Sequence, residues 1–309
     1  MASVGSDRRG IRQLRGKVAV ITGAASGIGR ALAIGLSTRG CHLALVDLDA
    51  DGLARLHREL TAADGALTVS THVADVANEA RMRDLAGEVI AAHGAVHVLV
   101  NNAGVAHEAA FPQTTIGSWQ HVLGVNLWGV IYGCHFFLPH LAKVERAHIV
   151  NLSSFLGLVA MPGQSAYCTS KFAVRGLSEC LWEELRTTSV GLTLVHPGAV
   201  ATNIMTRAQG DDPELLQRLG RWYERHAMPP ERASARIIRA IERGTPRLLI
   251  APEVAFGDRL KRLLPVVGNR MVSDAVIRIL GVGDMRATRA AQWQETMVDS
   301  GSEPKPPRR

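Results

Sequence analysis

The stretch Lys17-Val-Ala-Val-Ile-Thr22-Gly23-Ala-Ala-Ser26-Gly27-Ile28-Gly29 decides how this chain is read. Residues 17–22 form a short run of apolar and β-branched side chains, the pattern of a strand buried on both faces. Glycines follow at 23, 27 and 29, and a helical pattern runs from about residue 27 to 39. Glycine accepts the backbone angles of a tight turn and lets a phosphate approach the chain closely. The helix that follows presents unpaired N–H groups and the positive end of its dipole. Strand, glycine turn and helix in that order make a cradle for a dinucleotide pyrophosphate. The spacing is G-x-x-x-G-x-G rather than G-x-G-x-x-G, and a purely structural turn is the competing reading.

Outward from this stretch the pattern alternates strand and helix to about residue 250. Strands are expected at 43–46, 67–73, 96–100, 148–152, 192–196 and 247–250, with helices near 51–63, 78–92, 165–187 and 231–243. Short apolar strands between helices predict an α/β fold, a doubly wound parallel sheet covered on both faces. Residues 202–230 look irregular and read as a flap. With no internal repeat and no linker, one domain is the economical choice for 309 residues.

Composition excludes several classes. The chain is 47% hydrophobic and 20% charged, ordinary for a globular protein. The four cysteines show no C-x-x-C pair and no metal-ligand spacing, so no metal is expected. The net charge of +7 gathers near both ends, in Arg8 to Lys17 and in residues 305–309, without a basic stripe interleaved with aromatics. Nucleic-acid binding is therefore not expected. No apolar leader opens the chain, and a cytoplasmic location is the expectation, with peripheral membrane attachment as its variant. Residues 109–142 carry no charge, but Asn126, His135, Pro139 and His140 interrupt the apolar pattern. A helix buried on most sides, at a subunit contact, fits better than a bilayer crossing.

Two further features carry chemistry. Tyr167 and Lys171 are four residues apart on a predicted helix, so phenol and ammonium share a face. A neighbouring cation favours the phenolate, and a nearby hydroxyl can hold a carbonyl or alcohol oxygen beside it. Asp47 closes the second predicted strand about twenty residues past the glycines, where an acid can bind both ribose hydroxyls of NAD and repel a 2′-phosphate. Ala25, Ser26 and Leu48 supply no basic group there, although Asp47 could equally serve as a turn or cap residue.

The glycine turn, Asn101-Asn102-Ala103-Gly104, Asn126, Ser154, Tyr167 with Lys171, and Pro197-Gly198 stand in the order of the classical short-chain dehydrogenase/reductase family, which residues 15–250 resemble. The resemblance implies a Rossmann-type sheet and hydride transfer to or from a nicotinamide cofactor. It implies that Tyr167 is the acid/base, that Lys171 lowers its pKa and binds the nicotinamide ribose, that Ser154 positions the reacting oxygen, and that Asn126 supports a relay water. Ser153 is the local rival to Ser154. Gly23, Ser26, Gly27, Ile28, Gly29, Asp47 and Leu48 would hold the adenosine and pyrophosphate, and Asp75 and Val76 would flank the adenine. Asn102, Ala103 and Gly104 would line the cleft, and Pro197, Gly198, Val200 and Thr202 would meet the nicotinamide. Asp75, Asn102 and Thr202 each have a plain alternative as a cap or turn former.

An NAD-dependent oxidoreductase acting on a lipophilic alcohol or its carbonyl is the resulting expectation, with an NADPH-dependent carbonyl reductase or a catalytically silent nucleotide-binding regulator as alternatives. The lipophilic substrate rests on residues 105–111, on Phe155, Leu156, Leu158, Val159 and Met161, and on Ile204, Met205 and Trp222. Arg207 could anchor an acid group. Residues 1–14 read as a disordered basic tail, 251–285 as an amphipathic helical extension and 286–309 as a polar tail. Within the extension, Phe256, Leu260, Leu263, Leu264 and Val267 form one stripe, and Met271, Val272, Ala275, Val276, Ile279 and Leu280 a second. Residues 253–281 would pack on their own domain or a partner subunit, or else lie on an anionic membrane. A homodimer or homotetramer is what the resemblance implies.

Overall fold

The computed structural model describes residues 10–204, 208–210 and 212–280. The first half contains β1 (Val18–Thr22), α1 (Gly27–Ser37), β2 (His42–Asp47), α2 (Ala50–Ala63), β3 (Val69–Val73), α3 (Glu79–His93) and β4 (Val98–Asn101). A two-residue strand β5 (His107–Glu108) follows, then α4 (Ile116–Leu123), a π-helical turn (Gly124–Trp128) and α5 (Gly129–Leu141). The second half holds β6 (Ala147–Leu152), α6 (Ser165–Glu184), β7 (Val190–Pro197), β8 (Gln209–Gly210), α7 (Pro213–His226) and α8 (Pro230–Arg243). Strand β9 (Arg247–Ile250) and the helices α9 (Pro252–Leu263) and α10 (Val267–Leu280) complete it.

Seven strands form one sheet in the order β3-β2-β1-β4-β6-β7-β9, every pair parallel. This is the doubly wound Rossmann-type sheet that the alternating pattern predicts. The chain runs outward from β1 to β3, then returns to the other side of β1 with β4. The switch opens a crevice beyond the C-terminal ends of β1 and β4. Leu32 and Leu36 of α1, Leu53 and Leu56 of α2, and Ile237 and Ile241 of α8 pack on one face of the sheet. Met82 and Leu85 of α3, Phe137 and Leu141 of α5, and Val174 and Leu181 of α6 cover the other.

Three expectations need correction. Residues 10–14 are not tail: Ile11 and Leu14 are buried in the core, and Ile11 N–H donates to Ile241 O at 3.0 Å. The tails expected at residues 1–9 and 281–309 lie outside the described residues. The supposed irregular flap contains the 14-residue helix α7, because Asp212 caps it through Leu215 N–H at 2.9 Å, Pro213 occupies its first turn, and Leu215 and Leu219 are buried. Met205 and Arg207 fall outside the described residues. The first stripe of the extension is not the inward face of α9, which buries Val254, Gly257 and Asp258 and leaves Phe256 and Leu263 exposed.

The extension packs on its own domain. Arg247 donates two hydrogen bonds to the Asp258 carboxylate, at 2.9 and 2.8 Å. Lys261 Nζ donates to Leu158 O at 2.6 Å and lies 4.5 Å from the centre of the Phe172 ring. The Asn269 amide pairs with the backbone of Ala160, accepting at 3.0 Å and donating at 3.2 Å.

The uncharged segment is long and apolar enough to span a bilayer by length and composition alone. Here it lies against the sheet, with Val130, Gly133, Phe137 and Leu141 buried. At Gly133 an added Cβ would lie 2.2 Å from Asn101 Oδ1. Gly133→Ala should therefore lower stability by about 1–3 kcal/mol from overpacking, although alanine is the better helix former by about 1 kcal/mol. Urea unfolding checks the sign; a stabilised variant would mean that the helix does not sit this close to β4.

Candidate active site

The crevice is built first by its floor. Thr22 Oγ1 donates to Val100 O at 3.3 Å and accepts from the N–H groups of Asn102 and Ala103 at 3.0 and 3.1 Å. Asn102 Nδ2 returns hydrogen bonds to Thr22 O at 2.8 Å and Gly23 O at 3.1 Å. These bonds close the gap where β1 and β4 end and hold the glycine turn over them. Gly23 and Gly27 take φ values of +66° and +53°, which side chains other than glycine rarely adopt. At Gly29 an added Cβ would fall 2.1 Å from Gly23 O, so this glycine serves close packing of helix on turn and does not itself line the cavity.

The N-terminus of α1 fits an anion. Ser26 is the cap residue but makes no side-chain cap bond, so the first-turn N–H groups lack that partner and open on the cavity. Asp47 accepts from Ala25 N–H at 2.9 Å and Asp49 N–H at 3.0 Å, which fixes its carboxylate beside the turn. Leu48, Asp49, Asp75 and Val76 line the same end of the cavity. Arg55 reaches Asp49 at 3.8 Å from outside, and among the described lining residues Lys171 is the sole lysine or arginine.

Further along the cavity stand Ser154, Tyr167 and Lys171, on the loop after β6 and on α6. Ser154 hydrogen-bonds Tyr167 through its side chain. Ser153, the rival serine, turns away and donates to Lys171 O at 2.9 Å. His196 Nδ1 meets Ser154 O at 2.9 Å, and burial pushes its imidazole down to about 4. The ring is therefore neutral at pH 7 and its Nδ1–H donates to the Ser154 carbonyl.

The charges in the tyrosine–lysine pair differ from expectation. Burial pushes the Tyr167 phenol above its usual range, against the lowering effect of Ser154. Burial pulls Lys171 down to about 8. Lys171 Nζ lies 5.7 Å from the centre of the Tyr167 ring and donates to Leu152 O at 3.1 Å. The structure brings the two together without the lowered tyrosine that the spacing predicts.

Asn126 stands behind the cavity, not on its lining. The π-helical turn in the middle of the long helical segment aims its side chain at Val105, where it accepts from N–H at 2.8 Å and donates to O at 2.9 Å, and it also donates to Ser170 Oγ at 3.1 Å. Such turns are often found at functional sites. Gly104, against whose face Asn126 and Lys171 both pack, links it to the lysine.

One cavity of about 1260 Å³ unites these groups. Gly23, Ser26, Gly27, Ile28, Asn102, Ala103, Gly104, Pro197, Gly198, Val200 and Thr202 all line it. Beyond Tyr167 the cavity continues as a chamber walled by Phe155, Leu156, Met161, Ile204 and Trp222, as expected, whereas Leu158 and Val159 are buried in the core behind. Glu108 falls within the expected wall 105–111, and Leu219 and Tyr223 within the segment after Thr202, though none was singled out. Sequence reasoning missed Gln164 and did not foresee that the second stripe of the extension, Met271 to Leu280, forms a wall of the chamber. The signal for the stripe was its helical spacing; Glu108 and Gln164 gave none, being 56 residues apart.

Comparison with known proteins agrees with this geometry. Residues 17–213 match the family model described as short chain dehydrogenase. The Mycobacterium tuberculosis protein SadH is 40% identical over 267 residues, spanning 85% of this chain and 96% of that protein. D-threitol dehydrogenase of Mycolicibacterium smegmatis is 35% identical over 232 residues, covering 74% of this chain and 87% of the relative. A short chain dehydrogenase/reductase of Burkholderia phymatum, solved in complex with NAD, superposes with a TM-score of 0.78 at 34% identity, over 82% of this chain and 95% of the other. With its glycine turn, parallel sheet and serine–tyrosine–lysine cluster in one cavity, the chain belongs to the short-chain dehydrogenase/reductase family of nicotinamide-dependent oxidoreductases.

Proposed function

We propose that this enzyme uses NAD to interconvert a lipophilic alcohol and its carbonyl compound. The observation that carries the reading is a single cavity with carboxylates at one end, Ser154 and Tyr167 in the middle and an apolar chamber at the other. Bound nicotinamide supplies the hydride acceptor or donor. In oxidation the Tyr167 oxygen removes the hydroxyl proton while Ser154 holds the reacting oxygen; in reduction Tyr167 returns that proton. Lys171, when protonated, favours the phenolate and meets the nicotinamide ribose. Asn126, with its amide committed to Val105 and Ser170, positions the Gly104–Lys171 region. The similar Burkholderia structure with bound NAD and the dehydrogenase name of the Mycolicibacterium relative support the same reading. An NADPH-dependent reductase fits less well, because a 2′-phosphate would meet Asp47 and Asp49. A silent nucleotide-binding regulator fits less well because the serine, tyrosine and lysine meet in one place.

Assembly and attachment belong to the same proposal. Trp128, Tyr132 and Phe136 form a ladder of ring contacts along one face of α5, which suits packing against a second copy in a homodimer or homotetramer. Around the α9–α10 corner Leu263, Val266 and Val267 are exposed beside Arg259, Arg262 and Arg270, a combination that suits an anionic lipid surface. The double variant Leu263→Glu and Val266→Glu should reduce sedimentation with anionic vesicles at least threefold without altering NADH binding; equal sedimentation would remove the membrane contact.

Two outcomes test the chemistry. NAD should exceed NADP in kcat/KM on the order of 100-fold, about 3 kcal/mol, and Asp47→Ala should shrink that ratio at least tenfold; equal use of both cofactors by the parent enzyme would refute the assignment. Tyr167→Phe should lower turnover by about 10²–10⁴-fold or more while NADH fluorescence still reports binding. In the free enzyme Tyr167 should stay protonated past the ordinary phenol range, because its folded pKa is raised. Oxidised cofactor, which brings positive charge to the site, should move the alkaline difference absorbance to lower pH. The same titration in Tyr167→Phe identifies the group, and an unmoved phenol would contradict the proton-transfer role.

A further inference from the structure

Three polar side chains from separate segments meet inside the apolar chamber. Glu108 ends β5 and is 2% exposed, Gln164 immediately precedes α6 and is 8% exposed, and Tyr223 comes from α7. All three line the cavity that holds Tyr167. Gln164 Nε2 donates to Glu108 Oε2. This contact fixes the orientation of the amide, since the reversed amide would turn an oxygen lone pair toward the carboxylate. Gln164 Oε1 is thereby buried with no hydrogen-bond partner. Leaving a buried acceptor unmade is costly, so its presence calls for a partner that arrives from the cavity.

The carboxylate is deliberately held. Strand β5 pairs in parallel with β8, His107 opposite Gln209 and Glu108 opposite Gly210. An added Cβ on Gly210 would lie 2.2 Å from Glu108 O, so this short ribbon tolerates only glycine there. Tyr223 sits within the influence of both Glu108 and Tyr167: burial and then the Glu108 charge push its phenol up, and Tyr223 in turn opposes ionisation of Tyr167.

We propose that Gln164 Oε1 and the Glu108 carboxylate form a subsite for a second hydrogen-bond donor on the substrate, a hydroxyl close to the reacting carbon. Gln164 stands at the N-cap of α6, less than one helical turn before Tyr167, and both side chains line the same cavity. The donor therefore sits on a carbon adjacent, or nearly adjacent, to the one that is oxidised. The substrate class becomes a lipophilic diol or hydroxyketone, with its hydrocarbon part against α7, α9 and α10. A buried acceptor discriminates strongly, because a substrate without the hydroxyl leaves Gln164 Oε1 unpaired. This inference rests on the alcohol-oxidation reading and refines its substrate.

The test compares decane-2,3-diol with decan-2-ol in the full-length enzyme with NAD. The diol should have at least a tenfold higher kcat/KM, most of it in KM. Gln164→Met and Glu108→Gln should each cut the diol-to-alcohol ratio at least fivefold, with NADH binding as the check on folding. Equal kcat/KM for the two compounds in the parent enzyme overturns the subsite, as does a ratio unchanged in both variants. If neither compound is oxidised, alcohol oxidation of this class fails separately, and the subsite is read from quenching of bound NADH fluorescence. Tighter binding of the diol then supports it, and equal or absent binding overturns it.

Discussion

Everything in this active site hangs on the clamp between Thr22 and Asn102. At the switch between β1 and β4 the strand ladder ends, and backbone groups on both strands lose their sheet partners. The Thr22 hydroxyl takes two of the freed N–H groups, and the Asn102 amide takes two of the freed carbonyls. Each such bond contributes only about 1 kcal/mol net, yet leaving one of these buried groups unmade costs about 1–3 kcal/mol. The clamp also sets the height of the turn, because Gly29 packs on Gly23 O with no room for a methyl group. The uncapped start of α1 is thus aimed into the crevice by bonds that never touch a ligand.

The same burial that makes the crevice selective sets a resting charge state. Tyr167 is pushed up and Lys171 pulled down to about 8, so each is driven toward its neutral form. Helical spacing brings phenol and amine together, but proximity alone does not ionise a phenol when the cation is itself desolvated and bonded to Leu152 O. Positive charge delivered with an oxidised nicotinamide tilts the balance toward phenolate. In the reaction proposed above, proton removal is then coupled to the presence of the hydride acceptor. Neutral His196 completes the arrangement by holding the Ser154 carbonyl without adding charge.

Local signals made much of this legible. The β1 strand, its glycine turn and α1 are consecutive residues whose pattern admits few alternatives, and the tyrosine–lysine pair lies within one helical turn. What escaped depends on contacts between distant segments or on a choice between equivalent faces. Helix α9 has apolar residues on more than one side, and contacts with distant segments, the Arg247–Asp258 pair among them, decide that Val254 and Gly257 point inward. In α7 the Asp212-Pro213-Glu214 start and the Leu215–Leu219 spacing were readable, but the glycine and charges around them resembled a loop. Ile11 and Leu14 are two apolar positions in a basic stretch, and nothing before the fold exists says what they would bury against.

The chamber is built differently from the crevice, and the difference matches its task. The sheet and its flanking helices bury two large apolar clusters, which make that part rigid. The chamber wall rests instead on two small clusters, one under α7 and α10 and one under α9, pinned by a few polar links from Arg247, Lys261 and Asn269. Elements with few buried apolar contacts open at lower free energy than the core. For the lipophilic substrate proposed above, a wall of this kind yields to the shape of the hydrocarbon while Ser154 and Tyr167 keep their geometry. On the proposed reading, specificity falls to the parts of the chamber that are held in place: Ser154 and Tyr167 on the sheet side, and Glu108 on its glycine-locked ribbon.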